Sequence, residues 1–423
     1  MLRRASAAVP SIAWVILAAC GGSRAHGREA SAVPEVPTSE TRGVAPPPVE
    51  DAAVTAPAPA RGWAGASSSP RAVALEGLAT LERELLEACG APEEGLMNVA
   101  EGLAERKAKN LPYLELDGLV FAQRRAGEPH VWPRAWIVSA ASLERAGTLE
   151  RLVAWKKSFG DPGERRCGLA TRRTEAGVIV AAIAIDAIAD LKPLPTRGRT
   201  GQWLELDANA RVPATGARVV LMGPSGAPRS VPTSRQGDRI RARFVLDRPG
   251  GFTVQLLLDV ATGPRPALEA HVYADVEPPA SASSEKVPGE DAGGTRTGTE
   301  ALVAMVSGVR ALEGLAPLTH DARLDALALE HARRMKAAHT VGHDVGDGDP
   351  AERLQNAGLS AREAGENVAH AETVRLAHRA LWASPSHRAN LLRASFSHVG
   401  IAVLDDPDGS IWACEVFATQ LGR

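Results

Sequence analysis

Apolar positions recur at helical spacing in the last third of the chain. Leu302, Met305, Val306, Val309 and Leu312 form one stripe, with Thr299 as its expected N-cap and Gly314 just past its end. A second stripe holds Leu324, Leu327, Ala328, His331, Ala332 and Met335 and is expected to leave the helix at Gly342; a third holds Val374, Ala377, His378 and Leu381. Two strands are predicted after them, over 399–404 and 410–418, joined by Asp405-Asp406-Pro407-Asp408-Gly409. The layout is helices first, then antiparallel strands.

Between about 201 and 275 the period falls to two. Strand-like runs cover 203–212, 217–222, 238–247, 252–260 and 268–274, punctuated by Gly223-Pro224-Ser225-Gly226 and Arg248-Pro249-Gly250-Gly251. Ile240, Ala242, Phe244 and Leu246 alternate with Arg239, Arg241 and Arg243, which puts one face in a core and the other in water. The pattern predicts a small all-β sandwich of immunoglobulin-like type, with a spacer or adhesive role.

An earlier folded segment, 72–194, is read as an α+β module. Leu96, Val99, Ala100 and Ala104 match Leu324, Leu327, Ala328 and Ala332 at an offset of 228, and Gly168-Leu169-Ala170, Gly177 and Ile179 match Gly400-Ile401-Ala402, Gly409 and Ile411 at an offset of 232. Two explanations fit: a degenerate second copy of the last domain, or two helices and a hairpin that share a binary pattern. His130 is this segment's one histidine, so it lacks the chemistry of the last domain.

The remaining stretches are simpler. Arg3 and Arg4 precede a mostly apolar run to Ala19, a signal peptide too short to span a bilayer. Leu17-Ala18-Ala19-Cys20 resembles a bacterial lipobox, so residues 1–20 are read as a lipoprotein signal and Cys20 as the lipidated first residue. Residues 21–71 and 278–297 are rich in Ala, Pro, Ser and Gly without a period, and are read as a disordered tether and a linker. The fold class is therefore α+β multidomain: a module at 72–194, a β-sandwich at 198–277 and a C-terminal domain at 298–420.

With 48 Lys+Arg against 50 Asp+Glu in 423 residues, the chain has no charge bias that would favour nucleic acid. After the signal, no run of some eighteen or more apolar residues follows, so the lipid on Cys20 is the expected membrane hold. Four cysteines are too few for a disulfide scaffold; Cys89 with Cys167 is the natural pair, and Cys414 reads as a small buried hydrophobe.

Five ordered blocks then carry a resemblance. They are Val341-Gly342-His343, Gly365-Glu366-Asn367-Val368-Ala369, the run Trp382-Ala383-Ser384-Pro385-Ser386-His387-Arg388-Ala389-Asn390-Leu391-Leu392, His398-Val399-Gly400-Ile401, and Ile411-Trp412-Ala413-Cys414-Glu415-Val416-Phe417. From about Thr299 to Ala418 the chain resembles the CAP superfamily, also called SCP/PR-1-like. The resemblance implies an α-β-α sandwich with an open cavity, and places His343, Glu366 and His387 on cavity positions that bind a divalent metal in some members. Members have been credited with lipid or sterol binding and some with proteolysis. Many have a second glutamate; here Ala383-Ser384-Pro385-Ser386 follows Trp382 instead. Glu415 is the other nearby carboxylate, but by alternation it shares a face with Ile411, Ala413 and Phe417, in keeping with a buried-edge or solvent role.

Two histidines and a carboxylate suit zinc, with a fourth position open for water, and the same set suits general acid-base work. Ser384-Pro385 is expected to start a short helix whose positive end keeps His387 neutral. Against this, such histidines often only cap or pack, and Glu366 between Gly365 and Asn367 can serve a turn. The chain has no Gly-x-Ser-x-Gly elbow and no His-Glu-x-x-His helix, and the spacing of His339 and His343 is read as accidental. Three readings stay open. One is an envelope lipoprotein, periplasmic or surface-held, whose cavity binds a metal or an apolar, sterol-like or cell-wall ligand. The second is a metal-dependent hydrolase using His343, Glu366 and His387. The third is a purely adhesive protein.

Overall fold

The computed structural model describes residues 16–19, 23–24, 62–68, 79–114, 116–157, 163–261, 263–282 and 285–422. Cys20 and most of the predicted tether lie outside the described residues. Two short strands, β1 (Ile16–Ala19) and β2 (Ser23–Arg24), pair with a strand of the last module described below.

In the first module, α1 (Thr80–Cys89), β3 (Ala91–Pro92), α2 (Glu94–Ala108), α3 (Leu116–Arg125), β4 (Arg134–Ala140), α4 (Arg145–Lys157), β5 (Glu164–Thr174) and β6 (Gly177–Ala187) follow in chain order. The four strands form one sheet, ordered β3-β5-β6-β4. Because side chains on a strand alternate, β6 feeds both faces. Ile179, Ala181, Ile183 and Ile185 pack with the α2 stripe of Leu96, Val99, Ala100 and Leu103. Val180, Ala182 and Ala184 pack with Leu85 and Leu86 of α1 and Leu152 of α4. Cys89 at the end of α1 is disulfide-bonded to Cys167 of β5, with Cα atoms 5.9 Å apart.

The middle module has two sheets. One is ordered β11-β10-β14-β15-β8 and the other β12-β13-β9-β7. The strands are β7 (Ala189–Leu191), β8 (Arg197–Gly198), β9 (Trp203–Ala210), β10 (Gly216–Met222), β11 (Arg229–Val231), β12 (Thr233–Gln236), β13 (Arg239–Val245), β14 (Gly250–Val260) and β15 (Gly263–Ala274). Ile240, Ala242 and Phe244 of β13 are buried in a cluster shared with Val254, Leu256 and Leu258 of β14, while Arg239 and Arg243 are exposed. Two boundaries differ from expectation. Ala189 and Leu191, assigned to the first module, belong to this core because they alternate into it. Residues 62–68, assigned to the tether, are packed: Ala66 bridges to Leu194, and Trp63 is buried with Tyr273.

The last module comprises α5 (Glu290–Gly293), α6 (Gly298–Leu312), β16 (Thr319–His320), α7 (Ala322–Ala338), α8 (Pro350–Asn356), β17 (Glu363–Ala371), α9 (Val374–Ala383), α10 (Pro385–Leu391), β18 (His398–Asp405) and β19 (Ile411–Thr419). Its strands run β17-β19-β18-β16, with β1 along the outer edge of β17. α6 and α9 cover one face of the sheet and α7 the other. The order is not helices before strands, since β17 lies between α8 and α9. Thr297, not Thr299, occupies the N-cap of α6, and the Thr299 hydroxyl instead accepts from the Val403 amide at 3.0 Å. α7 stops four residues before Gly342, because His339 turns left-handed with φ 47°.

The outer modules correspond strand for strand. Each has a two-residue strand beside a long one, and the parallel registers Ala91↔Arg166 and Thr319↔His398 repeat the sequence offsets. The amides of Glu93 and Asp321 donate to the carbonyls of Cys167 and Val399, both at 3.1 Å. Gly168 lets β5 press against the Leu96 backbone, as Gly400 lets β18 press against Leu324; a Cβ at either place would collide with that backbone. Among the described residues, no helix is long and apolar enough to cross a membrane.

Candidate functional site

Glu366 sits near the middle of β17, fully buried. Strand alternation sends it to the face that carries Ala364 and Val368, where α7 and α8 pack. His343, from the loop after α7, places Nδ1 2.7 Å from Glu366 Oε1. Arg353 of α8 reaches in from the other side: Nη2 donates to Glu366 Oε2, and Nη1 donates to the His343 carbonyl at 2.6 Å. His331 lies 3.6 Å from Glu366 Oε1. Its Nε2 faces the Gly342 carbonyl at 2.9 Å and its Nδ1 faces Asp347 at 2.8 Å.

The electrostatics follow from this ring of donors. Burial alone would raise the Glu366 carboxyl, but His331, Arg353 and His343 outweigh it and hold the group far below the usual carboxylate range. Cys414 Sγ stands 3.6 Å from Glu366 Oε2, and burial together with that carboxylate pushes its thiol well up. Cys414 is therefore a buried, protonated thiol.

His387 enters from the opposite face of β17. Its carbonyl accepts from Asn367 Nδ2 at 3.3 Å, and Asn367 is next to Glu366 and so points the other way. Asn367 Nδ2 also donates to Glu415 at 2.8 Å, and Asn390 donates to Asn367 Oδ1 at 2.9 Å. Glu415 is not at a solvent edge. It is fully buried on β19, between β17 and β18, and burial pushes it up to about 7 against the lowering pull of Asn367. Pro385 opens α10 as expected, but the Ser384 side chain does not cap it; that hydroxyl accepts from Gln255 Nε2 at 3.3 Å.

The middle module closes this region. Gly263 opens β15 so close to His343 that an added Cβ would lie 3.4 Å from the His343 Cβ, and Gln255 of β14 accepts from the Ser386 amide at 3.2 Å. His343 is left 1% exposed. The cavity that the resemblance implied to be open is here covered by a neighbouring module.

The sequence reading named His343 and Glu366, and they meet. It missed Arg353 and Asp347, and it took His331 for a stripe member. A polar residue inside an apolar helical stripe needs a buried partner, and that was the one signal His331 offered. Glu366 spends one oxygen on His343 and the other on Arg353. Among the described residues, no group of three or more His, Cys, Asp or Glu is arranged to hold a metal ion. The donor set does not fit a resident zinc ion, and no step is derived through one.

Comparison with known proteins bears on the same stretch. The family model described as the cysteine-rich secretory protein family, CAP, matches residues 303–416. The Bacillus subtilis protein YkwD is 31% identical over 113 residues, 26% of this chain; the chain spans 43% of that relative's length. An extracellular protein containing an SCP domain from Bacillus anthracis aligns at 16% identity over 54% of this chain and 88% of its own, with a TM-score of 0.27. An outer surface protein from Borrelia burgdorferi aligns at 21% identity over 28% of this chain and 89% of its own, with a TM-score of 0.26. On the motifs around Glu366 and on the family match, the chain carries at residues 303–416 a CAP domain of the cysteine-rich secretory protein family.

Proposed function

We propose that this chain is an exported envelope protein, lipid-anchored through Cys20, whose CAP domain binds a ligand and does not cleave one. The observation that carries this is the state of Glu366. A general base works best with its pKa near the operating pH and a free lone pair facing the proton it takes. Glu366 has the opposite character: it is held far below that range, with both oxygens engaged by Arg353 and His343. The immunoglobulin-like middle module acts as a cover over this face. The first module, which matches the CAP domain in strand order and register, is a degenerate copy that supports it. In that copy Arg134 stands on the strand equivalent to β17 and pairs with Asp186 at 3.1 Å, and the module's buried histidine–carboxylate contact, His130 Nδ1 with Glu128, joins two residues of one loop and not a loop to the sheet.

Calorimetric titration of the full chain with zinc tests the binding reading against the hydrolase reading. The expected result is no stoichiometric heat. One equivalent bound, and lost in both His343→Ala and His387→Ala, would overturn it in favour of a metal-dependent hydrolase acting on peptide or cell-wall material. Anchoring is tested separately by feeding cells an alkyne-labelled fatty acid: label should enter the wild-type chain and be absent from Cys20→Ala.

A further inference from the structure

A second cavity, of about 340 Å³, lies where the three modules meet, lined by residues of α3, β14, β15 and α9 and by Trp63. Neither His343 nor Glu366 lines it. Its wall is aromatic and fixed in place. The Trp63 ring packs edge-on against Phe121 and Tyr273, each at a centroid distance of 5.4 Å, and its Nε1 donates to the Pro279 carbonyl at 3.0 Å. Arg124 and Glu269 also line the cavity, 3.3 Å apart. Glu269 receives a second hydrogen bond from Gln255 at 2.6 Å, and Arg124 gives Nη1 to the carbonyls of Glu128 and His130 at 2.8 Å. The Nε of this buried guanidinium has no acceptor among the described residues.

We propose that this cavity is a binding site for a small, uncharged, ring-bearing apolar molecule, stacked on the Trp63–Phe121–Tyr273 wall with one acceptor atom toward Arg124. At the ~30 Å³ of liquid volume that a water molecule occupies, the space suits a ligand on the order of ten to twenty non-hydrogen atoms. Charge is selected against in both directions. Three carboxylates line the cavity, on Asp117, Glu269 and Glu285, against the guanidinium groups of Arg124 and Arg379, which disfavours an anion. A cation is disfavoured by desolvation, which penalises any bare charge among the aromatic and aliphatic lining residues and which, reinforced by Arg124, pushes His271 down to about 3. Rings are preferred to an acyl chain because aromatic pairs attract one another beyond the area they bury.

The test uses the purified full chain and the neutral probe N-phenyl-1-naphthylamine, read by its fluorescence and by quenching of tryptophan emission. Its close analogue 1-anilinonaphthalene-8-sulfonate adds a sulfonate group and with it a negative charge. Ala383, exposed at the end of α9 and lining the cavity, offers a filling variant, Ala383→Trp; Phe121→Leu removes one ring from the wall. The expected result is saturation near one equivalent, at least tenfold weaker binding of the sulfonate, and at least tenfold weaker binding of the neutral probe by Ala383→Trp and several-fold by Phe121→Leu, with circular dichroism unchanged. Absence of saturation, equal affinity for the sulfonate, affinity unchanged in both variants, or displacement by stoichiometric dodecanoate would each overturn the proposal.

Discussion

Glu366 and Glu415 lie on neighbouring strands of one sheet, are both fully buried, and titrate in opposite directions. Glu366 is lowered, so its contribution to stability is present above the unfolded value of about 4.5 and is lost as pH falls toward the folded value. Glu366→Gln should therefore cost about 3–5 kcal/mol at pH 7, because it leaves Arg353 buried beside a neutral amide. Denaturant unfolding measures this, and a cost below about 1 kcal/mol would show that the pair is not coupled. Glu415 is raised to about 7, so the folded chain keeps its proton after the unfolded chain has lost it. Stability then declines from about pH 4.5 to about 7 and is level above that. Glu415→Gln should stabilise on the order of 2–3 kcal/mol at pH 8 and leave stability at pH 4 unchanged; an equal gain at both values would refute the assignment. At this scale the sequence exposed His343 and Glu366 through their motif, but not Arg353. Nothing in the spacing of a surface-type residue on a short helix says that its guanidinium turns inward.

The elements divide the same way. The α2 and α7 stripes and the β13 alternation were legible because each buries one face, and burying one face imposes a period. β17 was not legible. Gly365, Glu366 and Asn367 are poor strand formers, and their strand is held by pairing with β19 and by Asn390, which lies more than twenty residues away in sequence. The glycines that place helix against strand were visible as matching positions, but their reason was not. Gly168→Ala and Gly400→Ala would each drive a methyl into helix backbone, which cannot move aside as a side chain can, and should cost about 3 kcal/mol. Gly102 sits in α2 with nothing within 4 Å of an added Cβ, so Gly102→Ala should instead stabilise by up to about 1 kcal/mol. Thermal unfolding of the three variants separates close packing from helix propensity; a stabilised Gly168→Ala would mean that α2 and β5 are not in contact.

Across the whole molecule, sequence patterns located the modules but not the way one closes on another, since a closing contact needs no period. Gln255 is the clearest case. It is fully buried on β14, donates to Glu269 and to Ser384, and accepts from the Ser386 amide, so one side chain ties the middle module to the start of α10. Gln255→Ala removes all three bonds and leaves β14 paired with β10 and β15, because those ladders are made by backbone. The hairpin whose β15 end rests on His343 should then lift more often, while His331, held on α7 between Asp347 and the Gly342 carbonyl, should not feel the change. Diethylpyrocarbonate labelling read by peptide mass spectrometry distinguishes the two rings. The rate at His343 should rise several-fold in Gln255→Ala and the rate at His331 should stay level. A parallel rise at both would indicate general loosening of the CAP domain, and no rise at His343 would mean that the middle module does not control access to the His343–Glu366 pair.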